Sequence, residues 1–238
     1  MQTQESKRLK FHQHRVLMVI LSSALLTTFS HTAYAGYSFD PGKDFLANAD
    51  QWPAWQHTLK RHGQQMAEFR SCIPDPGPDS QATPCSRKHK SLQHLLERAV
   101  GLSGRQKIDL VNRYVNRYRY RRDRPQHRQG KVLRNSWQTL TEFLKRGGDC
   151  EDYATAKYFI LREMGFAAED LRVVVGWERA NRSYHALLAV NFNGHILFLE
   201  SDNSIKRGGY RPDYRFTYSL NEVGIWDHKP VPGRHRSM

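Results

Sequence analysis

Apolar and polar positions follow two different rhythms along this chain. Between about residue 53 and residue 164 apolar residues recur every three or four positions, the period of a helix. From residue 171 onward they come in short unbroken runs or alternate, the period of a strand. The helical pattern covers roughly 53–71, 89–100, 104–117 and 139–146, and a fifth stretch opens at Cys150 and stops at Gly165. Ser103 suits the N-cap of the third, in which Ile108, Val111 and Val115 share one face. Strands are predicted at 171–177, 184–192, 195–202 and 214–218, the last an edge strand. Helices first and antiparallel strands second predict an α+β fold.

Between the second and third strands lies Asn193-Gly194, a strong hairpin signal, because a type I′ turn needs positive φ at both central residues. A two-residue turn sets Phe192 opposite His195. Counted back along the same ladder, His185 falls opposite Asp202, with Cβ atoms about 4.5–5.5 Å apart on one face. At that spacing a carboxylate can hold an imidazole in one tautomer while the other ring nitrogen faces a nucleophile. Either residue alone is bland: a strand histidine is often satisfied by the nearest polar group, and an aspartate often ends a strand.

The candidate nucleophile stands in Gly147-Gly148-Asp149-Cys150-Glu151-Asp152-Tyr153. A helix N-terminus lowers a thiol's pKa through its unpaired N–H groups and dipole. The adjoining Asp149, Glu151 and Asp152 act the other way unless a cation sits among them, and oxygen-only ligands favour a hard ion such as Ca²⁺. The bland alternatives are a small buried cysteine and ordinary acids in a first helical turn.

The N-terminus changes the compartment. Lys7, Arg8, Lys10 and Arg15 form a basic region, residues 16–26 an apolar stretch too short for a typical span, and Ala33-Tyr34-Ala35 a cleavage site. We therefore expect residues 1–35 to be a signal peptide, 36–226 a single domain and 227–238 a disordered tail, with no stable membrane insertion after the signal is removed. No cysteine follows the cut, which argues against a lipid anchor. Cys72 and Cys85 bracket a Pro/Gly-rich loop and could staple it, leaving Cys150 unpaired; were Cys150 paired instead, its catalytic role would fail. The net charge of +14 and the run Arg117-Tyr118-Arg119-Tyr120-Arg121-Arg122-Asp123-Arg124 would suit a single-strand nucleic-acid binder. Export argues against nucleic acid. The run then reads as a solvated basic edge or as a docking surface for acidic partners.

Asp-Cys-Glu-Asp-Tyr-Ala opening a helix, Tyr184-His185-Ala186 on a strand and Asp202-Asn203 on the next resemble the bacterial transglutaminase-like cysteine proteinases. The likeness runs from about Trp55 to Asp202 and includes residues 111–116 and the Trp137–Phe143 stretch. Within that family it is similar to the periplasmic, calcium-dependent proteases that release large biofilm adhesins. The resemblance implies a papain-like or transglutaminase-like fold, with N-terminal helices packed on an antiparallel sheet. It implies a triad of Cys150, His185 and Asp202, and Ca²⁺ ligands at Asp149 and Glu151 with Asp152 as a further one. It also implies a large adhesin as substrate and, as partner, an inner-membrane cyclic-di-GMP receptor whose periplasmic domain sequesters the protease. Trp137 is either a core residue or part of the substrate cleft. Rival readings are a transglutaminase-type acyl transferase, a cell-wall peptidase and a non-catalytic calcium-responsive binding module.

Overall fold

Five helices form where the helical rhythm places them: α1 (Pro53–Ser71), α2 (Arg87–Ala99), α3 (Gly104–Val115), α4 (Leu140–Arg146) and α5 (Cys150–Glu163). They belong to a computed structural model that describes residues 37–72, 85–123, 126–128, 131–133, 137–208 and 213–228. The expected signal segment and residues 229–238 of the expected tail lie outside these. Local chemistry explains the helix starts. Pro53 opens α1, where its missing N–H costs nothing. Ser103 accepts from the Gln106 backbone N–H while the Gln106 side chain accepts from Ser103 N at 2.9 Å, a capping box that starts α3. Thr139 and Glu142 repeat the device for α4.

The strands are β1 (Phe45–Asn48), β2 (Gln126–Arg128), β3 (Lys131–Leu133), β4 (Leu171–Glu178), β5 (Ser183–Phe192), β6 (His195–Leu199), β7 (Ile205–Arg207), β8 (Tyr214–Leu220) and β9 (Gly224–Asp227). Seven of them make one antiparallel sheet in the order β1-β9-β8-β4-β5-β6-β7, while β2 and β3 pair by themselves. The α+β class expected from the pattern is the class observed. Helix α5 lies across β4 and β5 and buries Phe159, Ile160 and Leu161 with Leu171, Val173, Leu188 and Val190.

The opposite face of the sheet is also covered, which explains why β4 reads as an unbroken apolar run. Tyr37 and Phe39 pack there against Val174, Leu187, Phe198 and Phe216. Beneath them Arg172 is only 2% exposed; its guanidinium lies 3.6 Å from the Trp226 ring centroid and donates to the carbonyls of Ser38 and Phe39. A buried cation is tolerable because aromatic faces and carbonyls replace its water.

Two boundaries depart from the sequence reading, and several short strands escape it. β6 stops at Leu199 and not at residue 202, because Asn203 adopts φ 72° and the Asp202 carboxylate accepts from the Ser204 N–H at 2.8 Å, a side-chain-closed turn that sends the chain back as β7. The last strand runs through Asp227, and His228 donates its N–H to Thr217 and contacts the Ser219 hydroxyl, so the tail begins later than 227. Strands β1, β7 and β9 are too short, at four, three and four residues, for their periodicity to register. No helix among the described residues is long and apolar enough to cross a membrane.

Cys72, capping α1, is disulfide-bonded to Cys85, just ahead of α2, and Cys150 is free. Thiol labelling of the denatured, unreduced protein is expected to modify Cys150 alone. Reduction should lower stability by about 3 kcal/mol, the loop-entropy value for a closed segment of this size. Label on Cys72 or Cys85 before reduction would refute the bridge.

Candidate active site

Helix α4 ends at Gly147, whose φ of 71° belongs to the left-handed region. The segment 119–121 then lies edge-on against the loop, with Tyr120 bridging Gly148 in parallel and Arg121 N–H donating to the Gly148 carbonyl at 2.8 Å. A Cβ on Gly147 would come within 2.0 Å of the Arg119 carbonyl, and one on Gly148 within 2.2 Å of Asp152 Oδ2. Two successive positions therefore accept only glycine. Asp152, in the first turn of α5, ties the loop down from inside. Its Oδ1 accepts from Gln138 N–H at 3.0 Å, and its Oδ2 from Gln138 Nε2 at 2.5 Å and Asp149 N–H at 3.3 Å.

Cys150 is delivered as the first residue of α5, as the pattern predicts. Its sulfur is half-buried, receives the Ala186 backbone N–H from β5, and lies 3.2 Å from Glu151 Oε2. Burial pushes the thiol far up, and the charge of Glu151 and its hydrogen bond push further in the same direction; the Ala186 N–H opposes them. Burial and then Asp149 push the Glu151 carboxyl up to about 7. Tyr218 and Tyr120 flank the site, each pushed up to about 12 chiefly by burial and also by the neighbouring thiol and carboxylates. The crowding of acids around the sulfur that the sequence suggests is real.

His185 precedes Ala186 on β5, one residue from the backbone N–H that reaches the Cys150 sulfur across the α5–sheet seam. The ladder from Phe192–His195 runs in the expected register but ends at Leu188–Leu199. Asp202 is therefore not the neighbour of His185. Its exposed carboxylate closes its own turn. The carboxylate that meets His185 is Glu200, two residues earlier and on the same face: Oε2 lies 3.0 Å from His185 Nε2, and Oε1 accepts from the Tyr214 hydroxyl at 3.1 Å. Glu200 is 4% exposed. With Nε2 so engaged, Nδ1 is the ring nitrogen left for the thiol. Tyr214 also stacks on the imidazole, with ring centroids 6.1 Å apart.

The Glu200 main chain is held as firmly as its side chain. Its carbonyl accepts from Lys157 Nζ at 2.6 Å and from Asn116 Nδ2 at 2.9 Å. Lys157 is wholly buried, and burial pulls its ammonium down to about 7 against the raising influence of Glu200 and Asp202.

Of the three acids expected to hold a cation, Asp149 and Glu151 converge and Asp152 does not, since both its oxygens serve Gln138 and the loop. The third member of the convergent group is Asp123; one oxygen from each of the three lies within 4.8 Å of the others. Asp123 N–H donates to Asp149 Oδ2 at 3.1 Å, and Asp149 Oδ1 is buried without a hydrogen-bond partner among the described residues. An oxygen-only donor set with an orphaned buried oxygen suits a hard divalent ion. Sequence spacing could not reveal Asp123; the sole signal was a lone acid inside a run of arginines. Trp137 settles into the core, ringed by Trp52 and Trp55, and its carbonyl accepts from Thr58 and Arg61.

A family model described as bacterial transglutaminase-like cysteine proteinase matches residues 79–226. No curated protein matches the chain. Among solved structures, calcium-bound LapG of Legionella pneumophila is 25% identical with a TM-score of 0.52, over 64% of this chain and 84% of that one. EGTA-treated LapG of the same organism is 26% identical with a TM-score of 0.52, over 60% of this chain and 77% of that one.

The two roles assigned to the acids separate by mutation. Asp123→Asn and Asp149→Asn are each expected to weaken the heat of calcium binding with little change in melting temperature. Asp152→Asn should keep that heat but lose about 1–3 kcal/mol of stability, because an amide replaces only one of two accepting oxygens. Loss of calcium binding in Asp152→Asn alone would reverse the assignment.

Proposed function

From the premise that this chain belongs to the bacterial transglutaminase-like cysteine proteinase family, and is accordingly a cysteine peptidase, we propose that it is a calcium-dependent endopeptidase exported to the periplasm. Cys150 is its nucleophile, His185 its base and Glu200 the residue that orients the base. The observation that carries this reading is the meeting of Cys150 with β5 at Ala186, beside an imidazole whose far nitrogen is engaged by a buried carboxylate.

His185 Nδ1 takes the thiol proton as the sulfur attacks the peptide carbonyl carbon, and the carbonyl π pair moves onto oxygen. Unpaired N–H groups at the start of α5 suit that oxyanion. On collapse the C–N bond breaks, and His185 returns the proton to the departing amine. Water, deprotonated by the same imidazole, then hydrolyses the thioester and restores the thiol. Glu200 keeps Nε2 protonated and the ring in plane throughout.

Asp123, Asp149 and Glu151 hold Ca²⁺ in this reading. The bound ion supplies positive charge that offsets the carboxylates opposing thiolate formation. The calcium-bound relative supports the choice of ion. The substrate is the N-terminal region of a large surface adhesin, and the periplasmic domain of an inner-membrane cyclic-di-GMP receptor holds the enzyme in check. This sets the protein's task as the control of biofilm attachment.

Cleavage of a recombinant adhesin N-terminal fragment tests the reading. Cys150→Ala and His185→Ala should abolish it. Glu200→Gln should lower kcat by about 10²–10⁴, as loss of an orienting carboxylate does in hydrolytic triads, whereas Asp202→Asn should stay within a few-fold of wild type. A severe loss in Asp202→Asn with Glu200→Gln active would exchange their roles. Chelation should silence the wild type without changing its far-ultraviolet circular dichroism, and calcium should restore it; full activity in excess chelator would remove the ion from the mechanism.

A further inference from the structure

Beside the nucleophile loop the surface opens into a cleft of about 550 Å³ whose rim carries Arg119, Arg121, Arg122 and Arg146 and whose wall includes Gly147 and Gly148. Elsewhere in the chain Arg61, Arg70, Arg105 and Arg162 each hold a carboxylate at 2.6–3.1 Å. None of the four cleft arginines forms an ion pair with an acid among the described residues. Arg146 touches the Gln138 side chain at 3.2 Å and Arg121 reaches the Arg146 carbonyl at 3.5 Å; both partners are neutral. Asp123, also at the cleft, belongs to the convergent acids beside Cys150.

Four like charges around one concavity repel one another, and an anion seated among them relieves that repulsion. Guanidinium forks match carboxylates two bonds at a time. The segment that bears three of them is fixed in place, because its backbone is bonded to Gly148 and pressed against Gly147. The cleft volume exceeds a single side chain and suits a short stretch of chain. Its lining includes Gly148, two residues before Cys150, and Asp123, one of the acids that converge with Asp149 and Glu151 on either side of that cysteine.

We propose that this cleft is a specificity subsite for an acidic stretch of the polypeptide substrate, an Asp- or Glu-bearing segment flanking the scissile bond. The proposal rests on the endopeptidase reading for what lies at the thiol, but binding can be measured without turnover. The probes are a six-residue glutamate peptide and its glutamine counterpart, titrated calorimetrically into the full Cys150→Ala chain in calcium and low salt. The glutamate peptide should bind at least roughly tenfold more tightly than the glutamine peptide, about the effect of one charge-assisted hydrogen bond. Arg119→Gln, Arg121→Gln and Arg122→Gln combined should erase that preference. Lys90→Gln, Arg98→Gln and Arg113→Gln combined remove three exposed positive charges from α2 and α3 and should leave it intact.

Equal binding of the two peptides, or an equal loss in both triple variants, would overturn the subsite and reduce the effect to net charge. Tighter binding of a six-nucleotide oligothymidylate through the same arginines would overturn it in favour of a nucleic-acid site. Among substrates cleaved by the wild type, acidic residues should be enriched on one side of the cut, and this enrichment should vanish in the cleft variant. Failure of the wild type to cleave any peptide would count against the endopeptidase reading alone, since the calorimetry stands apart from it.

Discussion

Glu200 is the residue through which the two layers of this protein hold each other. Its carboxylate engages His185 of β5 and Tyr214 of β8, its carbonyl takes donors from Asn116, the C-cap of α3, and from α5, and its N–H donates to the Ser204 carbonyl to close the β6–β7 turn. A buried carboxylate is costly unless its oxygens are satisfied. Here both are, so the position of the imidazole is set by the same contacts that pack helix on sheet. Lys157 adds a buried amine on the helix side, and Lys206 Nζ lies 3.9 Å from Oε1.

Around Cys150 a different principle operates. Asp149, Glu151 and Asp152 follow one another around Cys150, yet they do unlike work because of where their side chains go. Asp152 is consumed by Gln138 and the Asp149 N–H and acts as a structural pin. Asp149 and Glu151 converge on Asp123 and leave a buried oxygen of Asp149 unsatisfied. The arginines at 119, 121 and 122 line a cleft with Asp123, and none of them forms an ion pair with an acid among the described residues. Opposite charges thus sit close together in two groups that share Asp123, a cluster of acids and a cleft lined with arginines.

The helices, the central strands and the place of Cys150 at a helix start were legible because each rests on local signals: period, caps, a glycine stop and the Asn193-Gly194 turn. The face on which His185 finds its carboxylate was legible too, since parity along a strand is fixed. What escaped was where β6 ends. Apolar residues run to Leu199, and Ser201-Asp202-Asn203 is turn chemistry that a strand pattern extended too far; reading the turn first would have drawn attention to Glu200. Asp123 escaped for a deeper reason. It reaches the site by the packing of an irregular segment against two glycines, and no period or spacing encodes such a contact.

Surface turns ordinarily accept insertions and deletions during divergence, because nothing inside depends on their length. The turn at Asn193-Gly194 is different. Side chains alternate faces along a strand, so one added residue held in the β5–β6 ladder would rotate Glu200 to the far side of the sheet. An indel taken up in the ladder at this solvent-exposed corner would part His185 from Glu200 across the whole length of two strands. Turn length here sets which carboxylate the imidazole meets, although no atom of the turn touches either one.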